Sequence, residues 1–180
     1  MNFLDKLTPD HRQLFVRLPY RVGFWVSRSD RTGGGESQEQ ERQALSAILH
    51  GFAEEVFGAE TIQVIISETI RQKDQWNSWG REIDLVTSEC ATAIDLMREY
   101  GEDKDVKAFR TQMMEIADAV AVAFREEKRV SVFALCGKYI SFVFSGSSRS
   151  RKVQTFRDFV NISAQERKAL KAIAVALEAA

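Results

Sequence analysis

Proline is nearly absent from this chain, with two among 180 residues, and glycine is sparse at ten. So few turn-formers argue against disorder and against an all-β fold, which needs many Gly- and Pro-rich turns. Cysteine is equally scarce. Cys90 and Cys136 sit singly inside apolar helical patterns, which fits a reducing cytoplasm better than a disulfide scaffold. The two histidines, His11 and His50, are far apart and form no C-x₂-C or H-x₃-H spacing with the cysteines. A zinc site therefore has no sequence support, and a Cys or Ser nucleophile has no nearby base. An excess of one charge is also lacking: 25 Lys and Arg stand against 26 Asp and Glu, a net charge of -1. Nothing global then points to nucleic acid or an anionic membrane. Long apolar runs are missing too. The best candidate, Val130 to Phe144, is interrupted by Ser131, Gly137, Lys138 and Ser141 and falls short of the ~18 apolar residues of a membrane span. The first nine residues carry no apolar run of the signal-peptide kind. These absences together lead us to expect a soluble, cytoplasmic protein.

What is present is helical periodicity. Thr8-Pro9 is a helix start, with a hydroxyl at the cap and proline at the first helical position. Leu14, Phe15, Leu18, Val22, Trp25 and Val26 follow at three- and four-residue steps, predicting an amphipathic helix to about Arg28 that Pro19 should kink or divide. Arg17, Arg21 and Arg28 fall on its other face and read as a solvated basic surface. A second helix should start at the Ser37/Gln40 capping box, with Ala44, Leu45, Ile48, Leu49, Phe52 and Val56 inward, and end at Gly58. A third, 59–73, buries Ile62, Ile65, Ile66 and Ile70, and Trp76 and Trp79 should pack on the turn that follows. A fourth spans 81–100. A fifth keeps Val106, Phe109, Met113, Ile116, Val120 and Phe124 on one face. Acidic residues Glu82, Asp84, Glu102, Asp103 and Asp105 lie near predicted helix starts, where the helix dipole favours them. The 130–144 stretch is apolar on nearly all sides and predicts a central helix. The Ser163/Glu166 pair caps a last helix through Leu170, Ile173, Ala174 and Leu177. The expectation is one all-α domain over 1–180, a bundle of about seven helices.

One short internal repeat stands out. Gln40 to Ile48 matches Gln165 to Ile173 at seven of nine positions, and Phe24 to Ser27 parallels Phe142 to Ser145. Both copies read apolar helix, polar loop, capped helix, which predicts a quasi-duplicated helical hairpin over 24–48 and 142–173. In the first copy the loop is acidic. Counting from Asp30 as position 1, Gly35 falls at 6 and Glu41 at 12, as in a calcium-binding loop, but Thr32 and Gly34 replace the ligands of positions 3 and 5. A flexible connector is one reading. A weak divalent-cation site at Asp30, Glu36 and Glu41 is the other. Gly33-Gly34-Gly35 lacks the Gly-Lys-Ser/Thr of a phosphate loop. In the second copy, Arg149 to Lys152 is the densest basic cluster and reads as solvated loop charge.

The helix, acidic loop, Ser-x-x-Gln cap and Glu-Arg-Gln-Ala-Leu helix of 24–48 resemble the TerB-like domain of tellurite-resistance proteins, and 142–173 does so more weakly. The resemblance implies an all-helical fold of two related halves, a stress-response setting, and a metal role for Asp30 and Glu41. The chain departs from the family where Arg31 follows Asp30 and where basic residues fill the second loop. The functional expectation is a non-catalytic binding or interaction module, with a cation-responsive role implied by the resemblance. Its partner would be a protein or a second copy docked through an apolar helix face such as Val106 to Phe124; an enzyme is the remaining alternative.

Overall fold

The computed structural model describes residues 3–29, 38–55, 60–123 and 163–178. Among these it contains seven α-helices and no strand: α1 (Pro9–Ser29), α2 (Gln38–Glu55), α3 (Glu60–Arg71), α4 (Trp76–Trp79), α5 (Val86–Tyr100), α6 (Asp103–Ala123) and α7 (Ala164–Glu178). Short 3₁₀ turns at Phe3–Lys6, Lys73–Gln75 and Ile83–Leu85 join or precede them. The all-α bundle expected from periodicity is the fold. Expected features at Val56, Gly58, Phe124, Cys136, Val130 to Phe144 and the Arg149 to Lys152 loop lie outside the described residues, as does the 142–162 part of the second hairpin.

The helix at the centre is α1, which packs against all six of the others. Its buried residues run Leu14, Phe15, Val16, Leu18, Pro19, Tyr20, Arg21, Val22, Gly23 and Val26, which is most of its circumference. A helix enclosed by neighbours has no solvated face in its middle. Of the two effects expected of Pro19, a kink or a division, the division does not occur: α1 is one helix through that residue. An interior proline costs about 3 kcal/mol, while each large apolar side chain fully buried returns roughly 1.5–3 kcal/mol. Phe15, Val16, Leu18 and Val22 are all fully buried, so packing outweighs the lost hydrogen bond. Thr69 of α3 adds a cross-link, its hydroxyl donating to the Val16 carbonyl at 2.6 Å.

Two helix starts follow capping chemistry, whereas α4 and α5 begin without a side-chain cap, and the expected Ser37/Gln40 box lies outside the described residues. The Thr8 side chain accepts from the His11 backbone N–H at 3.3 Å. At α7 the Ser163 backbone N–H donates to the Glu166 carboxylate at 2.9 Å while the Glu166 N–H donates to the Ser163 hydroxyl at 3.2 Å, a reciprocal box. The α6 residues Val106, Phe109, Met113, Ile116 and Val120 are buried in the same apolar cluster as α1. That face is therefore spent on the chain's own core and is not an outward docking surface.

The α4–α5 connection departs from the expected 81–100 helix. Glu82 takes a left-handed conformation (φ 49°), a 3₁₀ turn follows, and α5 begins at Val86. The cause is a side chain 60 residues upstream. Arg21 donates through Nη1 to the carbonyls of Trp79 and Arg81 (2.7 Å for Arg81) and through Nη2 to that of Glu82 (2.9 Å). The Leu85 N–H, which a regular helix would send to Arg81, goes to Glu82 instead. Left-handed geometry at a non-glycine costs about 1–2 kcal/mol, less than three charge-assisted bonds to a buried guanidinium contribute.

Candidate functional site

The arginines of α1 form the expected solvated surface only in part, because Arg21 leaves it. Arg21 is only 4% exposed. Beyond its three carbonyl contacts, its Nε donates to Glu89 Oε2 at 2.7 Å, and Arg17 donates to Glu89 Oε1 at 2.8 Å. One carboxylate on α5 thus pairs two guanidinium groups on successive turns of α1. Periodicity placed both arginines opposite the main apolar stripe but contains no information about α5, whose Glu89 meets the buried Arg21 and the part-exposed Arg17.

Arg28, the third, does reach solvent, and it stands at one rim of a cleft. Tyr20, Phe24 and Arg28 step along α1 at four-residue intervals and so share a face. Opposite them α4 and its exit present Trp76, Asn77, Gly80, Arg81 and Ile83, and α2 contributes Arg42. The cleft is half-open, with a volume of about 480 Å³. The floor is aromatic. Tyr20 stacks on Trp76 with centroids 4.7 Å apart and on Phe24 at 5.6 Å, and Trp79 meets Tyr20 edge-on at 6.2 Å. Trp76 is fully buried and its indole N–H donates to the Thr69 carbonyl at 3.0 Å, so it is a packed anchor rather than an exposed edge.

The walls carry the charge. The Arg28 guanidinium lies over the Phe24 ring, 5.6 Å from its centroid, as a cation on a π-face. Arg42 Nη1 donates to Asn77 Oδ1 at 2.7 Å, tying α2 to α4 and fixing the direction of that guanidinium. Arg81 is exposed, and its position is set through its own backbone carbonyl, which Arg21 holds. Gly80 leaves the space open: a Cβ there would stand 3.0 Å from Phe24 Cε1. No carboxylate is among the described lining residues. Three guanidinium groups around one concavity attract anions, and partial enclosure strengthens that attraction over its value in bulk water.

Of the residues expected at a cation site, Asp30 and Glu36 lie outside the described residues. Glu41 is in the first turn of α2, with its side chain likewise outside them. No group of three or more His, Cys, Asp or Glu side chains able to hold a metal occurs among the described residues. His50 is exposed on α2, as expected of a helix-surface histidine. Cys90 is buried in α5, and burial, then Glu89, pushes its thiol up to about 12 against an opposing effect of Arg21. A thiol held that high is not a nucleophile at neutral pH.

The cleft escaped the sequence reading because its parts come from three helices. Two signals were available. Tyr20, Phe24 and Arg28 keep a four-residue step, and Arg42 sits inside the repeated Gln-Glu-Arg segment.

No family model matches the chain, and neither does any curated protein or solved structure.

Proposed function

We propose that this chain is a non-catalytic helical binding module and that the cleft between α1, α2 and α4 is its binding site, taking an anionic ligand. One observation carries the reading: Arg28, Arg42 and Arg81 line a concavity of about 480 Å³ with no carboxylate among its described walls, in a chain whose net charge is only -1. The volume lies in the range of small-molecule sites, roughly 300–1,000 Å³. The lining offers positive charge, aromatic surface and one amide, which suits recognition better than proton transfer or nucleophilic attack. The TerB-like resemblance of 24–48 adds a stress-response setting to this reading.

Thermal unfolding with citrate and with inorganic pyrophosphate, each at fixed ionic strength, tests it. A ligand at 100 times its dissociation constant stabilises the fold by about 2.7 kcal/mol. That shift should appear with the wild type and shrink in Arg28→Ala and Arg81→Ala. It should persist in Arg71→Ala, an exposed arginine on α3. An equal shift in all four proteins, or none with either anion, would rule the cleft out.

A further inference from the structure

We infer that the affinity of the cleft depends on two residues that do not line it: Arg21, which holds the 79–82 corner from behind, and Glu89, which holds Arg21. Both are positioning residues for Arg81 and Gly80 on the cleft wall. The inference rests on the cleft being the binding site and concerns what sets its geometry.

The corner has little of its own to hold it. Gly80 carries no side chain, and Arg81 and Glu82 are exposed, so residues 80–82 bury no apolar side chain in the core. The Gly80 N–H donates to the Trp76 carbonyl at 3.1 Å and the Arg81 N–H to that of Ser78 at 3.3 Å. Glu82 then stands in the left-handed region at φ 49°, a conformation that a non-glycine residue keeps only when its surroundings hold it there. Arg21 supplies that hold, with Nη1 donating to the carbonyls of Trp79 and Arg81 and Nη2 to that of Glu82. One planar guanidinium can serve several carbonyls and a carboxylate together because its N–H groups all point outward in one plane.

Glu89 fixes the other edge of that plane. Its Oε2 accepts from Arg21 Nε at 2.7 Å, and its Oε1 accepts from Arg17 Nη2 at 2.8 Å. Carbonyls offer only partial charge. The carboxylate supplies the full opposite charge that a guanidinium at 4% exposure requires, and without it the cation is drawn toward water and away from the corner. Arg28 has a different support. It lies further along α1, placed by the helix backbone and by the Phe24 ring beneath it. Loss of the Arg21–Glu89 pair should therefore displace Arg81 and leave Arg28 where it is.

Isothermal titration calorimetry of the full chain with inorganic pyrophosphate at constant ionic strength tests this by double-mutant cycles. Arg21→Lys keeps a positive charge beside Glu89 but replaces the fork with one nitrogen. It and Glu89→Gln should each bind about five-fold or more weakly than the wild type. Arg17→Ala, which removes the other arm of the same carboxylate, should stay within about two-fold of wild type. In the Arg21→Lys background, Arg81→Ala should cost little further affinity, whereas Arg28→Ala should cost as much as it does alone. Both losses shrinking alike would indicate a general loosening of the fold and overturn the positioning role. Wild-type affinity in Arg21→Lys and Glu89→Gln, or an equal loss in Arg17→Ala, would also overturn it and leave the anion site standing. No binding by the wild type overturns the anion-binding reading and this inference with it. Should circular dichroism show Arg21→Lys unfolded at the titration temperature, Glu89→Gln, which leaves an amide oxygen facing Arg21, serves as the background for the same comparison.

Discussion

At the scale of single residues, Arg21 decides most. It is enclosed at 4% exposure, pairs with Glu89, and holds three carbonyls of the 79–82 corner that forms one wall of the cleft. Removing one member of a buried ion pair typically costs about 3–5 kcal/mol, because the remaining groups stay desolvated and unpaired. Arg21→Met is expected to fall in that range by urea unfolding, and Glu89→Gln somewhat below it, since an amide still accepts from one guanidinium. A loss under about 1 kcal/mol for Arg21→Met would show the network to be incidental. Cys90 gives a pH signature of its own. Its thiol stays protonated in the fold up to about 12, whereas the unfolded thiol ionises near its usual 9.0. Between those values the unfolded state binds fewer protons, so stability falls as pH rises through that window and is unaffected below it. Relative to Cys90→Ala, the wild type should lose about 2–3 kcal/mol between pH 8 and 11. Parallel profiles for the two proteins would contradict the buried, protonated thiol.

At the scale of elements, the central position of α1 is the feature with most consequences. Gly23 on this helix shows how tightly it is enclosed. A Cβ added there would stand 2.4 Å from Leu45 Cδ1 on α2 and 3.2 Å from Val120 Cγ2 on α6. Alanine ordinarily favours a helix over glycine by about 1 kcal/mol, but overpacking a closed core costs roughly 1–3 kcal/mol, and Leu45 is buried and has little room to swing away. Gly23→Ala should therefore be net destabilising. Adding Leu45→Ala should make the double variant less destabilised than the sum of the two singles. A stabilised Gly23→Ala would mean that α1 and α2 are not in close contact. The helices themselves were legible in the sequence, since three- and four-residue steps of apolar side chains mark α1, α2, α3, α5 and α6, and the Thr8 and Ser163 caps mark two starts. Three things were not. Pro19 signalled a kink or a break, and core burial overrides the break; the start of α5 was displaced by a side chain from α1, and Arg21 looked solvated because Glu89 lies 68 residues away. Each miss has one physical origin: periodicity reports one helix at a time, and these features are made between helices.

At the scale of the whole molecule, a nearly neutral chain gathers three arginines on one concavity built over a buried aromatic stack. None of the helices among the described residues is long and apolar enough to cross a membrane. The buried apolar side chains of α1 to α7 form one cluster, so the cleft is set by the same packing that holds the fold, and its geometry should survive substitution of exposed rim residues. The most direct test of the central claim is an amide NMR titration of the full chain with inorganic pyrophosphate at fixed ionic strength. Saturable shifts concentrated at Phe24, Arg28, Asn77, Gly80 and Arg81 are expected. Shifts concentrated instead at the basic cluster Arg149 to Lys152, or spread without saturation over exposed Lys and Arg, would contradict it.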